Sequence, residues 1–144
     1  MMQRKMSRKL AIPLLACLAA LSCPTASLAA PSGASAEQIA WVRRAATNFV
    51  TAELAGNGAG ACGVLEGRLR STQHGRTCEQ RWDARIARQL HVPGARAQLR
   101  AQLRAIAHNR VSVHGDVATL ALPTPLMDGV SRLVWTEMCW MVTG

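Results

Sequence analysis

Tyrosine is absent from this chain of 144 residues, phenylalanine occurs once and tryptophan four times. With so few rings, and none interleaved with the basic residues, the chain lacks the stacking platform on which single-stranded nucleic acids bind. Nucleic acid is therefore not an expected partner. Lysine stops at Lys9. Beyond it the positive charge is all arginine, thirteen against eight acids, which leaves +5 of the whole chain's +9. A chain rich in Arg, Ala and Gly but without Lys is what GC-rich codons produce. That cause competes with any functional reading of basicity.

Several motifs are also missing. There is no H-E-x-x-H, no pair of histidines four apart and no C-x-x-C, so no metal site is expected. No G-x-S-x-G occurs, which removes support for a serine nucleophile on a strand-to-helix elbow. Gly58-Ala59-Gly60-Ala61-Cys62-Gly63 spells G-x-G-x-x-G, with Asp83 downstream. The dinucleotide fingerprint needs a strand before it, whereas a helical pattern precedes this one. It reads as a helix-ending loop, and no cofactor is expected. No internal repeat is present.

What is present at the start is an export signal in three parts. Arg4, Lys5, Arg8 and Lys9 form a basic region. Residues 10–21 are apolar, broken by Pro13, and fall short of the roughly 20 residues that cross a bilayer. Ser27-Leu28-Ala29 then fits a small-x-small cleavage site, as does Ala34-Ser35-Ala36. Cleavage after Ala29 gives a signal peptide of 1–29, a linker of 30–36 and a domain of 37–144. A retained membrane anchor is the competing reading. Cys17 and Cys23 each sit in a rough lipoprotein box, so lipidation at either is a further alternative.

Three cysteines remain: Cys62, Cys78 and Cys139. In an oxidising compartment a disulfide is expected, and Cys62–Cys78 is the natural pair because both lie in the helical half. Cys139 lies in an apolar run and reads as a buried free thiol.

Periodicity divides the domain in two. Ile39, Val42, Ala46, Phe49 and Val50 predict a helix over 35–55, capped by Ser35 with Gln38 as its box partner. Gly56-Asn57-Gly58 ends it, and Trp41 lies off its stripe. A second helix is expected over 59–69. A third, capped by Thr77, runs to about residue 90 on the stripe Cys78, Trp82, Ile86 and Leu90. A fourth covers 95–104. The pattern then alternates, predicting a strand over 105–114, a turn at Gly115-Asp116 and a strand over 117–122. Asp128-Gly129 signals another turn. A single long strand is expected over 130–142, apolar on both faces and so needing cover on both sides. Helices first and an antiparallel meander after them argue an α+β domain, helices packed on a sheet.

This layout, with Ala61-Cys62-Gly63-Val64-Leu65, a second cysteine opening a helix and Val113-His114-Gly115-Asp116-Val117-Ala118-Thr119-Leu120, resembles secreted and lipoprotein members of the nuclear transport factor 2-like superfamily from high-GC Gram-positive bacteria. The resemblance covers about 37–144. It implies a cystatin-like cone, a curved antiparallel sheet wrapped on helices, often dimeric sheet to sheet. It does not carry one function, since that fold hosts enzymes and binding modules alike. Isomerases of the superfamily use a tyrosine donor, which this chain lacks.

Among individual residues, Glu137 is the acid candidate, because it stands in the most apolar run, where a buried carboxylate needs a partner or a raised pKa. His108 and His114 share a parity on the expected first strand, which makes His108 the base candidate. Glu53 and Glu66 read as helix-end residues, and Asp83 as a surface ion-pair member beside Arg81 and Arg85. Trp135, Trp140 and Met138 are the expected pocket or interface side chains. Arg81, Arg85 and Arg88 follow one helical face and Arg96, Arg100 and Arg104 another. The expected function is an exported binding or interaction module, holding a small apolar ligand or pairing as a homodimer through its sheet. One alternative is an acid–base enzyme of isomerase or dehydratase type, with Glu137 and His108 acting on a hydrophobic substrate in the cone. Another is an envelope-anchoring protein whose basic helix faces associate weakly with an anionic envelope surface.

Overall fold

The computed structural model describes residues 33–127, 131–136 and 139–144. The expected signal peptide, Cys17, Cys23, the turn at Asp128-Gly129, and the side chains of Glu137 and Met138 lie outside these residues. Among the described residues the fold is α+β, with five helices followed by a four-stranded antiparallel sheet. No described helix is long and apolar enough to cross a membrane.

Helix α1 spans Ala36–Ala55 and begins as its sequence directs. The Ser35 hydroxyl accepts the Gln38 backbone N–H at 3.0 Å, and Gln38 Oε1 accepts the Ser35 N–H at 2.9 Å. The end of the expected linker is therefore the cap and first residue of this helix. Gly56 closes it in the left-handed region, φ +73°, where a residue without a Cβ is unstrained. Val42, Ala46, Phe49 and Val50 are fully buried.

The second expected helix is two short ones, α2 (Gly58–Gly63) and α3 (Gly67–Arg70). Between them the chain opens to run beside the last strand. Leu65 pairs with Val142, the Glu66 N–H donates to the Val142 carbonyl at 2.9 Å, and the Val142 N–H donates to the Val64 carbonyl at 2.8 Å. Burying Leu65 completely and satisfying a sheet edge outweighs continuing the helix. Helix α4 (Cys78–Leu90) is capped by Thr77 as expected, with Gln80 completing a capping box, and its N-terminus is joined to α2 by the Cys62–Cys78 disulfide.

Helices α2 and α4 pack closely because Gly58 has no side chain. The Gly58 N–H donates to Asp83 Oδ1 at 2.8 Å, so Asp83 ties the start of α2 rather than serving as a surface ion-pair member. A Cβ at Gly58 would stand 2.7 Å from both the Asp83 nitrogen and the Glu79 carbonyl oxygen, which are backbone atoms that cannot swing away. Gly58→Ala is therefore expected to destabilise the fold by about 2 kcal/mol, the usual cost of overpacking. A lowered urea midpoint checks this, and an unchanged midpoint would show that the helices separate freely.

Helix α5 (Ala95–His108) runs one turn past its expected end, because Ile106 continues the buried stripe of Leu99 and Gln102. The first strand is correspondingly shorter. Strands β1 (Val111–His114) and β2 (Val117–Leu120) form the expected hairpin around Gly115-Asp116, with Gly115 at φ +57°. Strands β3 (Arg132–Trp135) and β4 (Trp140–Thr143) replace the single long strand. They pair antiparallel, Trp135 opposite Trp140 and Leu133 opposite Val142.

This hairpin changes which side chains share a face. Val113, Ala118, Leu133 and Val142 form one cross-sheet row on the helix side, and Ala118, Leu133 and Val142 are fully buried. The other face presents Ser112, His114, Thr119 and Arg132 around Val117, Val134 and Met141. Among the described residues two short strands replace the long one, and their second face mixes Arg132 and Thr143 with Val134 and Met141, Thr143 being buried under Glu66. Helix α1 lies on β1 and β4, flanked by α5 and α2, with α4 outside α2.

Candidate functional site

Strand alternation puts Trp135 and Trp140 on the same face of the β3–β4 hairpin, ring centroids 5.5 Å apart at 64°. Helix α1 brings Trp41 beside them, one turn after Glu37. Together Glu37, Gln38, Trp41, Trp135 and Trp140 line a cleft of about 180 Å³. Trp140 is buried, 4% exposed, and forms the floor, while Trp41 and Trp135 are 42% and 40% exposed. The Trp140 Nε1–H is enclosed and has no acceptor among the described residues. Arg44 lies 5.7 Å from the Trp41 ring centroid. The walls are thus indole surface, with one carboxylate and one amide at the rim. Such a cleft favours a flat, apolar group.

A second recess, of about 210 Å³, is polar. It lies where α1, α4, α5 and the segment after β2 meet, and Glu53, Arg85, Gln98 and Gln102 are among its walls. Gln102 donates its amide to the carbonyls of Thr124 and Pro125 at 3.1 and 3.0 Å, and Gln98 reaches Thr124 Oγ1 at 3.3 Å, so these amides hold the 124–127 segment in place. Glu53 is 3% exposed. Burial pushes its carboxyl up to about 7, against the opposing pull of Arg85. A carboxyl of this kind exchanges a proton near neutral pH.

The sequence reading placed the acid elsewhere. His108 is an exposed residue at the C-terminal end of α5, not on the first strand, and it no longer shares a strand with His114. Helical propagation through Ile106 is the reason. Glu53 was read as a helix-end residue, although it sits four residues after Phe49 and three after Val50, on the continuation of the buried stripe. That spacing was the available signal. Glu66 is a helix-end residue as expected. Its carboxyl is held below the usual range by hydrogen bonds from Arg68 and from Thr143.

Cys139 is a half-buried free thiol in the β3–β4 loop, 3.6 Å from Thr136 Oγ1, rather than a strand residue in the core. The G-x-G-x-x-G stretch is α2 itself, a short helix rather than a loop. Among the described residues no three His, Cys, Asp or Glu side chains gather as metal ligands. Comparison with protein-family models, with curated proteins and with solved structures finds no match.

Proposed function

We propose that this chain is an exported binding module whose ligand site is the cleft of Trp41, Trp135 and Trp140. The observation that carries it is the placing of the rings. The chain has five aromatic residues in all, and two tryptophans stand more than a third exposed beside a third, buried one. Leaving that much indole surface in water forgoes burial energy, and exposed tryptophans around a cleft are the usual anchors of recognition. The ligand is a small, flat, apolar molecule. The resemblance to the nuclear transport factor 2-like superfamily supports the same reading, with the helices as the filling of a cystatin-like cone. The disulfide fits an oxidising compartment, in keeping with cleavage after Ala29 and release, or with lipid anchoring at Cys17 or Cys23 in its place.

The experiment is a titration of the exported protein with 1-aminoanthracene, a neutral polycyclic dye. Saturable binding is expected, weakened about tenfold or more in Trp41→Ala and Trp135→Ala, the loss typical of a buried aromatic anchor. Dye binding untouched by either substitution would refute the site.

Glu53 favours a second reading. A buried carboxyl of raised pKa beside an arginine in a recess is a usual mark of acid–base function. It would replace Glu137 and His108 as the acid–base group of an enzyme. Activity lost in Glu53→Gln, with dye binding intact, would move the function to this recess.

A further inference from the structure

We propose that the cleft between the 73–76 turn and α4 is a binding site for a phosphoryl group. It is independent of the tryptophan cleft. The cleft measures about 410 Å³ and is lined by Arg76, Arg81 and Arg88, with Arg85 on the wall it shares with the Glu53 recess. Among the described residues no carboxylate does.

The arginines are positioned, not merely nearby. Arg81 donates from Nη1 to Gln73 Oε1 at 2.7 Å, and from Nη2 to the carbonyls of Leu69 and Ser71 at 2.9 and 2.6 Å. All three acceptors are neutral, so the guanidinium is fixed in place while its charge is not cancelled by them. Its Nε–H is enclosed without an acceptor among the described residues. Arg76 is presented by a two-residue turn in which Gln73 and Arg76 exchange backbone hydrogen bonds of 3.2 and 3.0 Å. Both central residues are left-handed, His74 at φ +51° and Gly75 at φ +72°. A side chain at that φ is uncommon, and the Arg81–Gln73 bond locks the turn against α4. Arg88 follows Arg81 by seven residues on the same helical face, and the Arg85 guanidinium carbon stands 4.8 Å from the Trp82 ring centroid.

A phosphoryl group at neutral pH carries up to two negative charges and three strong acceptor oxygens. Three guanidinium groups lining one concave site supply planar forks that match it, and they exceed what one carboxylate would use. The group is carried either by a soluble phosphate ester or by a lipid headgroup.

The test uses the full exported chain with two probes. Glycerol 3-phosphate is titrated by calorimetry. Vesicles of phosphatidylglycerol in phosphatidylcholine are compared with phosphatidylcholine alone by sedimentation. Arg76→Gln with Arg88→Gln is the test variant, since both side chains are exposed and their loss leaves the fold's hydrogen bonds intact. Arg100→Gln with Arg104→Gln removes the same charge from α5 and is the control. The expected result is binding of at least one probe, weakened tenfold or more in the test variant and less than twofold in the control. Ester binding assigns a soluble ligand, and vesicle binding alone assigns a headgroup. Neither probe binding, or equal weakening in both variants, overturns the proposal.

Discussion

Glu53→Gln is expected to stabilise the protein by about 2–3 kcal/mol at pH 8 and to change little at pH 4. The direction follows from proton linkage. Burial raises the Glu53 carboxyl from 4.5 to about 7 in the folded chain. Below 4.5 both states hold the proton, and the group costs nothing. Between 4.5 and 7 the folded state keeps a proton that the unfolded state has released, so stability falls as pH rises. Above 7 the loss is complete and constant. Each pKa unit corresponds to about 1.4 kcal/mol. Glutamine has the shape of the protonated acid and no charge to release, so the variant lacks this slope. The attraction of Arg85 already lowers the folded-state value to about 7, and the amide's second N–H donor, which the acid lacks, keeps the gain below the full shift. Urea unfolding of both proteins at pH 4, 6 and 8 checks it, since every other titrating group is common to the pair. Parallel curves would mean that Glu53 stays solvated.

Reduction of Cys62–Cys78, or Cys62→Ala with Cys78→Ala, is expected to cost about 3 kcal/mol. The bridge joins residues 16 apart, and a closed loop of that length limits the unfolded chain by roughly this amount. The folded side depends on it as well. Helix α2 has six residues, far too few to hold together without tertiary support. It leans on α4 through this bond and through the Gly58–Asp83 hydrogen bond. Trp82, whose ring stands edge-on to Phe49 at 5.3 Å, gives a fluorescence signal for the core at that junction. Equal urea midpoints with and without reductant would show that packing alone holds α2.

Much of this architecture was legible from local chemistry. Ser35 with Gln38, and Thr77 as a cap, mark two helix starts to the residue, because a cap is a contact within four positions. Gly115-Asp116 marks the hairpin for the same reason. The disulfide was legible from the order of the elements. The errors fall where a distant partner decides. Leu65 leaves its helix to meet Val142, 77 residues later in the chain. The sequence between β3 and β4 is Thr136-Glu137-Met138-Cys139, without the Gly, Pro, Asn or Asp that usually announce a turn. Two strands of four residues therefore read as one long strand, although strands average five or six.

The same misreading shaped the view of the site. A single strand sends Trp135 and Trp140 to opposite faces, whereas the hairpin puts them side by side. Trp41, placed off the core stripe of α1 by its spacing, had no visible companion until the sheet brought one. Glu53 was within reach of sequence reasoning, since helical spacing alone puts it on the buried side. Residue type argued the other way, because carboxylates are seldom buried.

The tryptophan cleft is tested most directly by the indole N–H resonances of ¹⁵N-labelled protein. Four tryptophans give four signals, assigned by replacing each with phenylalanine and then followed through a titration with 1-aminoanthracene. Shifts at Trp41, Trp135 and Trp140, with Trp82 unmoved in the core against Phe49, are the predicted result. Movement of Trp82 alone, or of none of the four while the dye binds, would place the ligand elsewhere and contradict the account.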